Sequence, residues 1–183
     1  MKKYQTIVAD PPWEQQMRGK DKRRPNRALE LPYPTMTWQE ISILSVSKIA
    51  EDGCHLWLWT TNQFLHAGFH VMDAWGFKYL SPITWVKPSG VGNYFISVTQ
   101  TLLFGYKCKC VFPLGRYKPT VLRTGLPKKH SQKPEAFYEL IESISPAPRL
   151  ELFARQKVDG WTCLGLEISG KTIQEELANL INS

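Results

Sequence analysis

The chain reads Thr6-Ile7-Val8-Ala9-Asp10-Pro11-Pro12-Trp13 near its start, an apolar run that ends in an acid, two prolines and an indole. The β-branched residues predict a buried strand. Proline cannot donate a sheet hydrogen bond, so the chain must leave the sheet at Asp10. In an open α/β sheet, ligands bind beyond the carboxyl ends of the strands. Asp10 is therefore a candidate site residue. The alternative is an ordinary strand exit whose Trp13 packs in the core.

Composition predicts one globular domain over residues 1–183, since 43% of the side chains are hydrophobic and 21% are charged. No apolar run approaches the roughly 20 residues of a membrane span, and no signal-peptide segment follows the first residues. We expect a soluble, cytoplasmic protein that does not bind membranes. The cysteines have no paired C-x-x-C spacing, so neither a disulfide framework nor a metal site is predicted. They are Cys54, Cys108, Cys110 and Cys163.

The net charge of +7 is concentrated in two stretches. Six basic residues and one acid lie between Met17 and Arg27, and seven basic residues without an acid lie between Tyr106 and His130. This pattern predicts contact with a polyanion such as a nucleic-acid backbone. The alternative is a pair of solvated loops. Because the first stretch directly follows a candidate site, it is a candidate lid or binding element.

Strand and helix patterns alternate along the rest of the chain. Thr37-Trp38-Gln39-Glu40 has the form of a capping box and predicts a helix to about Lys48. Further helices are predicted from Thr61 to Gly76, from Pro134 to Ile144 and from Lys171 to Asn182. Strands are predicted at Cys54–Thr60, Phe77–Lys87, Val98–Tyr106, Thr120–Leu122, Arg149–Arg155 and Trp161–Gly165. The alternation is typical of an α/β fold with a parallel sheet and crossover helices.

Several motifs follow the Asp-Pro-Pro-Trp run in a distinctive order. They are Leu31-Pro32-Tyr33-Pro34-Thr35-Met36, Leu56-Trp57-Leu58-Trp59-Thr60-Thr61-Asn62, Trp75-Gly76-Phe77, Trp85-Val86-Lys87, His130-Ser131-Gln132-Lys133-Pro134-Glu135 and Glu151-Leu152-Phe153-Ala154-Arg155. From Val8 to about Gly165, the chain resembles the DPPW-type adenine-N6 methyltransferases. That family includes the catalytic subunit of the eukaryotic mRNA adenosine methyltransferase and small bacterial and phage enzymes. The resemblance implies a Rossmann-like methyltransferase sheet, mostly parallel with helices on both faces. It also implies a permuted order in which the catalytic motif precedes the cofactor strand.

The resemblance implies S-adenosylmethionine as the cofactor and assigns roles to single residues. The catalytic residues would be Asp10, Pro11, Pro12 and Trp13. The carboxylate of Asp10 and the carbonyl of Pro11 would accept hydrogen bonds from an adenine amino group, and Trp13 would stack on a base. Candidate substrate-binding residues are Tyr33, Arg18, Lys20, Lys22, Arg23 and Arg24. Candidate cofactor-binding residues are Asp10, Lys133, Phe153, Arg155, Lys157, Leu166 and Glu167, with Lys133 near the cofactor carboxylate.

Two departures from the family pattern keep other functions open. Leu166-Glu167 stands where an amide pair is common, and Thr99-Gln100-Thr101 replaces part of an Arg-Asn-x-His-Glu-like run. An inactive nucleic-acid-binding partner subunit with the same fold is therefore an alternative, as are RNA adenosine and cytosine-N4 methylation. Asp10 disfavours cytosine, because a serine commonly replaces this acid for that substrate. We expect DNA rather than RNA, because the short form resembles prokaryotic and phage members. A homodimer would extend the reach of such a short chain on a duplex.

Overall fold

The computed structural model describes residues 2–14, 34–91, 94–114, 117–125 and 133–183. The strands of this part are β1 Tyr4–Ala9, β2 Ala50–Thr60, β3 Lys78–Val91, β4 Ser97–Tyr106, β5 Val121–Arg123, β6 Arg149–Leu152 and β7 Trp161–Leu164. Its α-helices are α1 Trp38–Ser42, α2 Val46–Ile49, α3 Leu65–Ala74, α4 Glu135–Glu142, α5 Leu166–Ser169 and α6 Ile173–Asn182. A short 3₁₀ turn, Asn62–Phe64, precedes α3.

The strands form one sheet in the order β5-β3-β4-β2-β1-β6-β7. Parallel pairs join β1 to β2, β1 to β6, β6 to β7 and β3 to β5. Within the described sheet, only β4 runs antiparallel to its neighbours, β2 and β3. The mostly parallel, Rossmann-like sheet is thus confirmed. The alternating pattern did not predict that β4 enters between β2 and β3. The direction of β4 follows from its hairpin with β3, because the two strands of a hairpin pair antiparallel.

Successive side chains of a strand point to opposite faces of the sheet, and each face has its own hydrophobic core. On one face, Ile7 of β1 packs in a cluster with the apolar sides of α1, α2, α3 and α6. On the other face, Val8 packs in a cluster with α4 and with a group of aromatic side chains. Helices therefore cover both faces, as expected. The central strand β1 is buried from both sides, which fixes the position of the residue that follows it.

The first predicted helix differs from the observed one. Thr37 and Glu40 form the expected capping box, but α1 ends at Ser42 and α2 begins only at Val46. The Ser42 hydroxyl donates to the Gln39 carbonyl at 2.8 Å, so it occupies an acceptor of the last turn. Serine competes in this way with the helix backbone. The prediction of one continuous helix to about Lys48 was therefore wrong.

Strand boundaries also differ, and β3 runs to Val91, four residues beyond the predicted Lys87. β2 begins at Ala50, four residues before the predicted start, because Glu51-Asp52-Gly53 forms an irregularity within the strand and not a turn before it. Gly53 has φ of +87°, and its N–H donates to the Lys107 carbonyl at 2.8 Å. At the other end of the sheet, β6 stops at Leu152, because Phe153 has φ of +64° and cannot continue a strand.

Candidate active site

Asp10 lies directly beyond the carboxyl end of β1, the strand between β2 and β6. Its N–H donates to the Leu152 carbonyl at 3.4 Å, which ties it to the end of β6. The side chain is 23% exposed, so the carboxylate is reachable from solvent while its backbone is held by two strands. The structure thus places an acid at the sheet edge where α/β folds bind ligands.

The Asp10 carboxylate is paired with Lys133. The Lys133 ammonium lies 2.5 Å from Asp10 Oδ2, and its side chain is only 11% exposed. The ammonium also lies 4.9 Å from the centre of the Trp59 ring, an arrangement that attracts a cation. Lysine carries three donors, so Lys133 retains N–H groups for a second anion. The resemblance places Lys133 near the cofactor carboxylate, and the structure brings it to Asp10.

The two prolines form a turn that is tied on both sides. The Trp13 N–H donates to the Pro11 carbonyl at 2.9 Å, and the Met36 N–H donates to the Pro12 carbonyl at 2.8 Å. The Glu14 N–H donates in turn to the Met36 carbonyl at 2.9 Å. A carbonyl oxygen has two lone pairs, so Pro11 keeps one acceptor position beyond its bond to Trp13. Pro11 thus keeps an acceptor position, although the residue is buried.

Trp13 is a core residue, which corrects the expectation that it stacks on a base. Its side chain is 7% exposed, and its indole N–H donates to the Trp59 carbonyl at 3.0 Å. The ring stacks on Phe64, with the ring centres 5.6 Å apart and the planes at 13°. The indole already has an aromatic partner and a buried hydrogen bond, so it offers no free face to a substrate. Its role is to anchor the proline turn.

A cavity of about 420 Å³ opens beside Asp10. Its lining residues are Asp10, Pro12, Pro34, Met36, Phe153, Ala154, Arg155, Gly165, Leu166, Glu167, Thr172, Ile173 and Gln174. Four predicted cofactor residues, Phe153, Arg155, Leu166 and Glu167, therefore meet Asp10 at one cavity. The volume is in the range of pockets for small molecules. Sequence reasoning missed Met36, Thr172 and Gln174. The capping box of Thr172 and Glu175, which places the start of α6 at the cavity, was the available signal for Thr172.

The lining fits S-adenosylmethionine in its chemistry. Apolar side chains such as Phe153, Leu166 and Ile173 suit an adenine ring, while the carboxylates of Asp10 and Glu167 suit hydroxyl and ammonium groups. Phe153 is held at positive φ at the cavity, a strained backbone that is common at ligand sites. Arg155 Nη1 lies 3.7 Å from Glu167 Oε1, so a cation and an anion are already paired along the wall.

Several predicted residues do not join this cavity. Lys157 is exposed and is absent from the lining. Lys133 is also absent from the lining and meets it only through its ion pair with Asp10. Arg18, Lys20, Lys22, Arg23, Arg24 and Tyr33 lie outside the described residues. His55 is fully buried, and its ring nitrogens contact Ser145 Oγ at 2.8 Å and the Val111 carbonyl at 2.7 Å. Among the described residues, there is no group of three or more potential metal ligands.

A buried carboxyl lies behind the site. Glu151 of β6 is 8% exposed, and its Oε1 accepts from the Tyr138 hydroxyl at 2.8 Å, whereas its Oε2 has no partner among the described residues. Burial raises the pKa of Glu151 to about 7. The Tyr138 hydrogen bond and the Lys133 charge lower this pKa, and the negative charge of Asp10 raises it. Glu151 is thus electrostatically coupled to the Asp10–Lys133 pair.

A second lysine lies near Lys133. The Lys87 ammonium is 5.6 Å from the centre of the Trp85 ring, and the Trp85 and Trp59 rings meet edge to face at 6.2 Å. Burial and repulsion from Lys133 lower the pKa of Lys87. Sequence reasoning noted Lys87 only as part of a motif. Its proximity to the site follows from the strand order, which no local pattern reveals.

The chain is similar to proteins of one family. The MT-A70 family model matches residues 4–167. The type II methyltransferase M.MunI of Mycoplasma sp is 32% identical, over 94% of this chain and 81% of that protein. A probable N(6)-adenosine-methyltransferase MT-A70-like protein of Oryza sativa subsp. japonica is 30% identical, over 94% of this chain and 24% of that protein. The catalytic subunit METTL3 of the Homo sapiens N(6)-adenosine-methyltransferase is 29% identical, over 92% and 29% respectively. The chain thus spans only a minor part of these two eukaryotic relatives. No described helix is long and apolar enough to cross a membrane.

Proposed function

The chain belongs to the MT-A70 family, and from this membership we propose that it transfers the methyl group of S-adenosylmethionine to the N6 amino group of adenine in DNA. The reaction class rests on the family and on relatives that are named as N(6)-adenosine-methyltransferases. The observation that carries the proposal is the position of Asp10. Its carboxylate forms part of the wall of the 420 Å³ cavity and remains exposed enough to meet a second molecule.

The reacting nitrogen needs acceptors, because the lone pair of an aromatic amine is delocalised into its ring. Asp10 would accept one N–H of the adenine amino group, and the free lone pair of the Pro11 carbonyl would accept the other. S-adenosylmethionine would supply a methyl group activated by its sulfonium. The amine held by Asp10 and Pro11 would take this methyl group from the sulfonium, which would become a neutral thioether, and the amino proton would be lost to water. Because methyl transfer makes this proton acidic, the residues act mainly by positioning the amine.

The Asp10–Lys133 pair supports this assignment. A carboxylate held by an ammonium at 2.5 Å has a defined direction, which is what an acceptor for one N–H requires. The remaining donors of Lys133 would bind the methionine carboxylate of the cofactor. Phe153 and Leu166 would contact the cofactor adenine, and Glu167, with Arg155 beside it, would accept from hydroxyl groups. Lys157 remains a proposal from the sequence alone.

The similarity to the type II methyltransferase of Mycoplasma sp, which extends over 81% of that protein, supports DNA as the substrate. The matches to the Oryza and human N(6)-adenosine-methyltransferases cover 24% and 29% of those proteins. The basic residues near the site neutralise either nucleic acid, so charge does not separate the two substrates.

The test is incubation with isotope-labelled S-adenosylmethionine and matched DNA and RNA of the same sequences, followed by nucleoside mass spectrometry. We expect label in N6-methyldeoxyadenosine. Label in N6-methyladenosine only would move the substrate to RNA, and label in N4-methylcytosine would overturn the base assignment. The Asp10→Asn variant, which keeps the shape of the side chain but removes its charge, is the matched control.

A second candidate is a partner subunit that binds nucleic acid without transferring a methyl group. Leu166 and Glu167 favour it, because they line the cavity at positions where the family commonly has an amide pair. Isothermal titration with S-adenosylmethionine separates the two candidates. Heat of binding that disappears in Phe153→Ala supports the enzyme, and no binding by the unmodified chain supports the subunit.

A further inference from the structure

Strands β3 and β4 continue past the end of β2 as a hairpin. β2 ends at Thr60, which pairs with Thr101 of β4, and Thr101 pairs with Thr84 of β3. β3 nevertheless runs on to Val91, which pairs with Ser97. We call residues 85–91 and 94–100 the hairpin arm. β4 contributes Ser97, Val98, Thr99 and Gln100 to the paired part of the arm, which at about 3.3 Å per residue reaches about 13 Å beyond the end of β2.

The arm leaves the sheet on the side of the candidate active site. β4 is antiparallel to both β2 and β3, so β3 points in the same direction as β2 and β1. The end of β3 at Val91 and the end of β1 at Asp10 are therefore on the same edge. In the sheet order, β3 is three positions from β1, which is a lateral distance of about 14 Å. A nucleic-acid strand rises about 3.4 Å per nucleotide, so this distance corresponds to about four nucleotides.

The tip of the arm exposes three consecutive apolar side chains. Tyr94 and Phe95 are each 89% exposed, and Ile96 is 68% exposed. The tip is nevertheless attached to a fixed backbone. A Cβ on Gly90 would lie 2.2 Å from the Ser97 carbonyl oxygen, so the strands approach closely below the tip. The Asn62 amide, just after β2, donates to Ser97 Oγ at 3.3 Å and to Thr99 Oγ1 at 3.2 Å.

The base of the arm carries a positive charge. Lys87 lies over the Trp85 ring and is repelled by Lys133. In the part of the chain that the structure describes, the carboxylate of Asp10 is paired with Lys133, and Lys87 has no ion-pair partner. Because Lys133 already has Asp10 as its partner, Lys87 adds a further cation at the edge of the site. An excess cation below an exposed aromatic tip matches a phosphate backbone with stacked bases.

We propose that the hairpin arm binds the nucleic-acid substrate, with Tyr94 and Phe95 stacking on bases near the target adenine and Lys87 contacting a backbone phosphate. The inference rests on the proposed function, because it supplies the substrate class to that same site. A second copy of the chain is the other possible occupant. Stable protein interfaces use roughly 20–30 residues on each side, far more than a three-residue tip provides. The excess charge at the base also favours a polyanion.

The first experiment measures stacking without turnover. Single-stranded DNA oligonucleotides with 2-aminopurine at successive positions up to six nucleotides from one adenine are titrated with the protein. We expect fluorescence quenching at one or a few positions, and we expect it to be lost in the Tyr94→Ala/Phe95→Ala variant. The Tyr94→Trp/Phe95→Tyr variant should retain it, because both keep aromatic faces. Ile43→Ala, at a side chain that is 80% exposed outside the arm, is the matched surface control.

The second experiment measures turnover on an oligonucleotide that the unmodified chain methylates. The alanine double variant should raise KM for the oligonucleotide at least tenfold, since each stacked base contributes roughly 1–3 kcal/mol. The KM for S-adenosylmethionine and the Tm should not change. Unchanged quenching and unchanged oligonucleotide KM would overturn the inference. Sedimentation is a further check. If the unmodified chain sediments as a dimer and the double variant as a monomer, the inference is overturned, because the tip would then be a contact between copies.

The two proposals fail in distinguishable ways. Quenching that depends on the tip, without methyl transfer to any adenine, supports the arm and contradicts the proposed function. Normal methylation of adenine by the alanine double variant, with the KM values of the unmodified chain, supports the proposed function and overturns the arm.

Discussion

The ammonium of Lys133 lies 2.5 Å from the carboxylate of Asp10, although the two residues are 123 positions apart in the chain. Asp10 follows β1, and Lys133 lies just before α4, on the face of the sheet that Trp59 also occupies. The pair links the acid that would hold the substrate amine to the cation that would hold the cofactor. Its two members should therefore affect catalysis in different ways.

Asp10→Asn should reduce kcat by at least about a hundredfold, a loss typical of removing one preorganised electrostatic contact. The amide keeps the shape of the side chain, but one of its two terminal atoms is a nitrogen that donates. It therefore offers the substrate amine one acceptor atom where the carboxylate offers two. Steady-state kinetics with a radiolabelled methyl group provide the measurement. Wild-type kcat in a variant with an unchanged Tm would remove Asp10 from the mechanism.

Lys133→Ala should weaken the binding of S-adenosylmethionine and of S-adenosylhomocysteine alike, because both carry the carboxylate. The expected loss is about 1.5–3 kcal/mol, the range for a hydrogen bond to a charged group. Isothermal titration measures both ligands, and nucleic-acid binding without cofactor should be unchanged. If cofactor affinity stays normal while DNA affinity falls, Lys133 belongs to the nucleic-acid surface and not to the cofactor pocket.

Trp13→Ala should destabilise the fold by about 3–5 kcal/mol, the cost of truncating a buried aromatic side chain. The reason is the loss of the Phe64 stack and of the bond to the Trp59 carbonyl. Trp13→Phe retains the stack and should cost less. Chemical denaturation with a common m-value measures the difference. A fully stable Trp13→Ala variant with weakened substrate binding would restore the base-stacking role that the sequence predicted.

The carboxyl of Glu151 should make stability fall as the pH rises. Its pKa is about 7 in the folded chain against an ordinary value of 4.5, mainly because of burial. The folded state therefore holds the proton more tightly than the unfolded state. This stabilising contribution is complete below pH 4.5 and is lost as the pH rises to 7, by an amount on the order of 3 kcal/mol. Denaturation midpoints between pH 5 and pH 8 should show the decline in the unmodified chain and a weaker one in Glu151→Gln. Equal slopes for the two proteins would contradict it.

Reversing Arg23 and Arg24 to glutamate tests the first basic stretch, which lies outside the described residues. Each phosphate contact that is lost should reduce the slope of log affinity against log salt by about 0.9 on duplex DNA. Binding titrations at several salt concentrations give the slope. An unchanged slope would move the electrostatic contact to the second basic stretch or to the hairpin arm.

Local patterns predicted the parts of the fold that depend on local physics. Residue chemistry at single positions predicts three features: the exit of the chain at Asp10, the capping box at Thr37 and the helix end at Gly76. Gly76 has φ of +77°. The packing of Trp13 and the proximity of Lys87 to Lys133 depend on which strands are neighbours. The insertion of β4 between β2 and β3 determines that order, and no short stretch of sequence predicts this insertion. The ion pair of Arg155 with Glu167 likewise joins segments that only the β6–β7 pairing brings together.

The bridge between Trp13 and Met36 couples two parts of the cavity wall. The Met36 N–H donates to the Pro12 carbonyl, and the Glu14 N–H donates to the Met36 carbonyl. Asp10, Pro12 and Met36 all line the cavity, so a backbone shift at Met36 would pass through the proline turn to the acid. Mutations around Met36 would therefore change how a ligand sits in the cavity and how Asp10 is aimed at the same time.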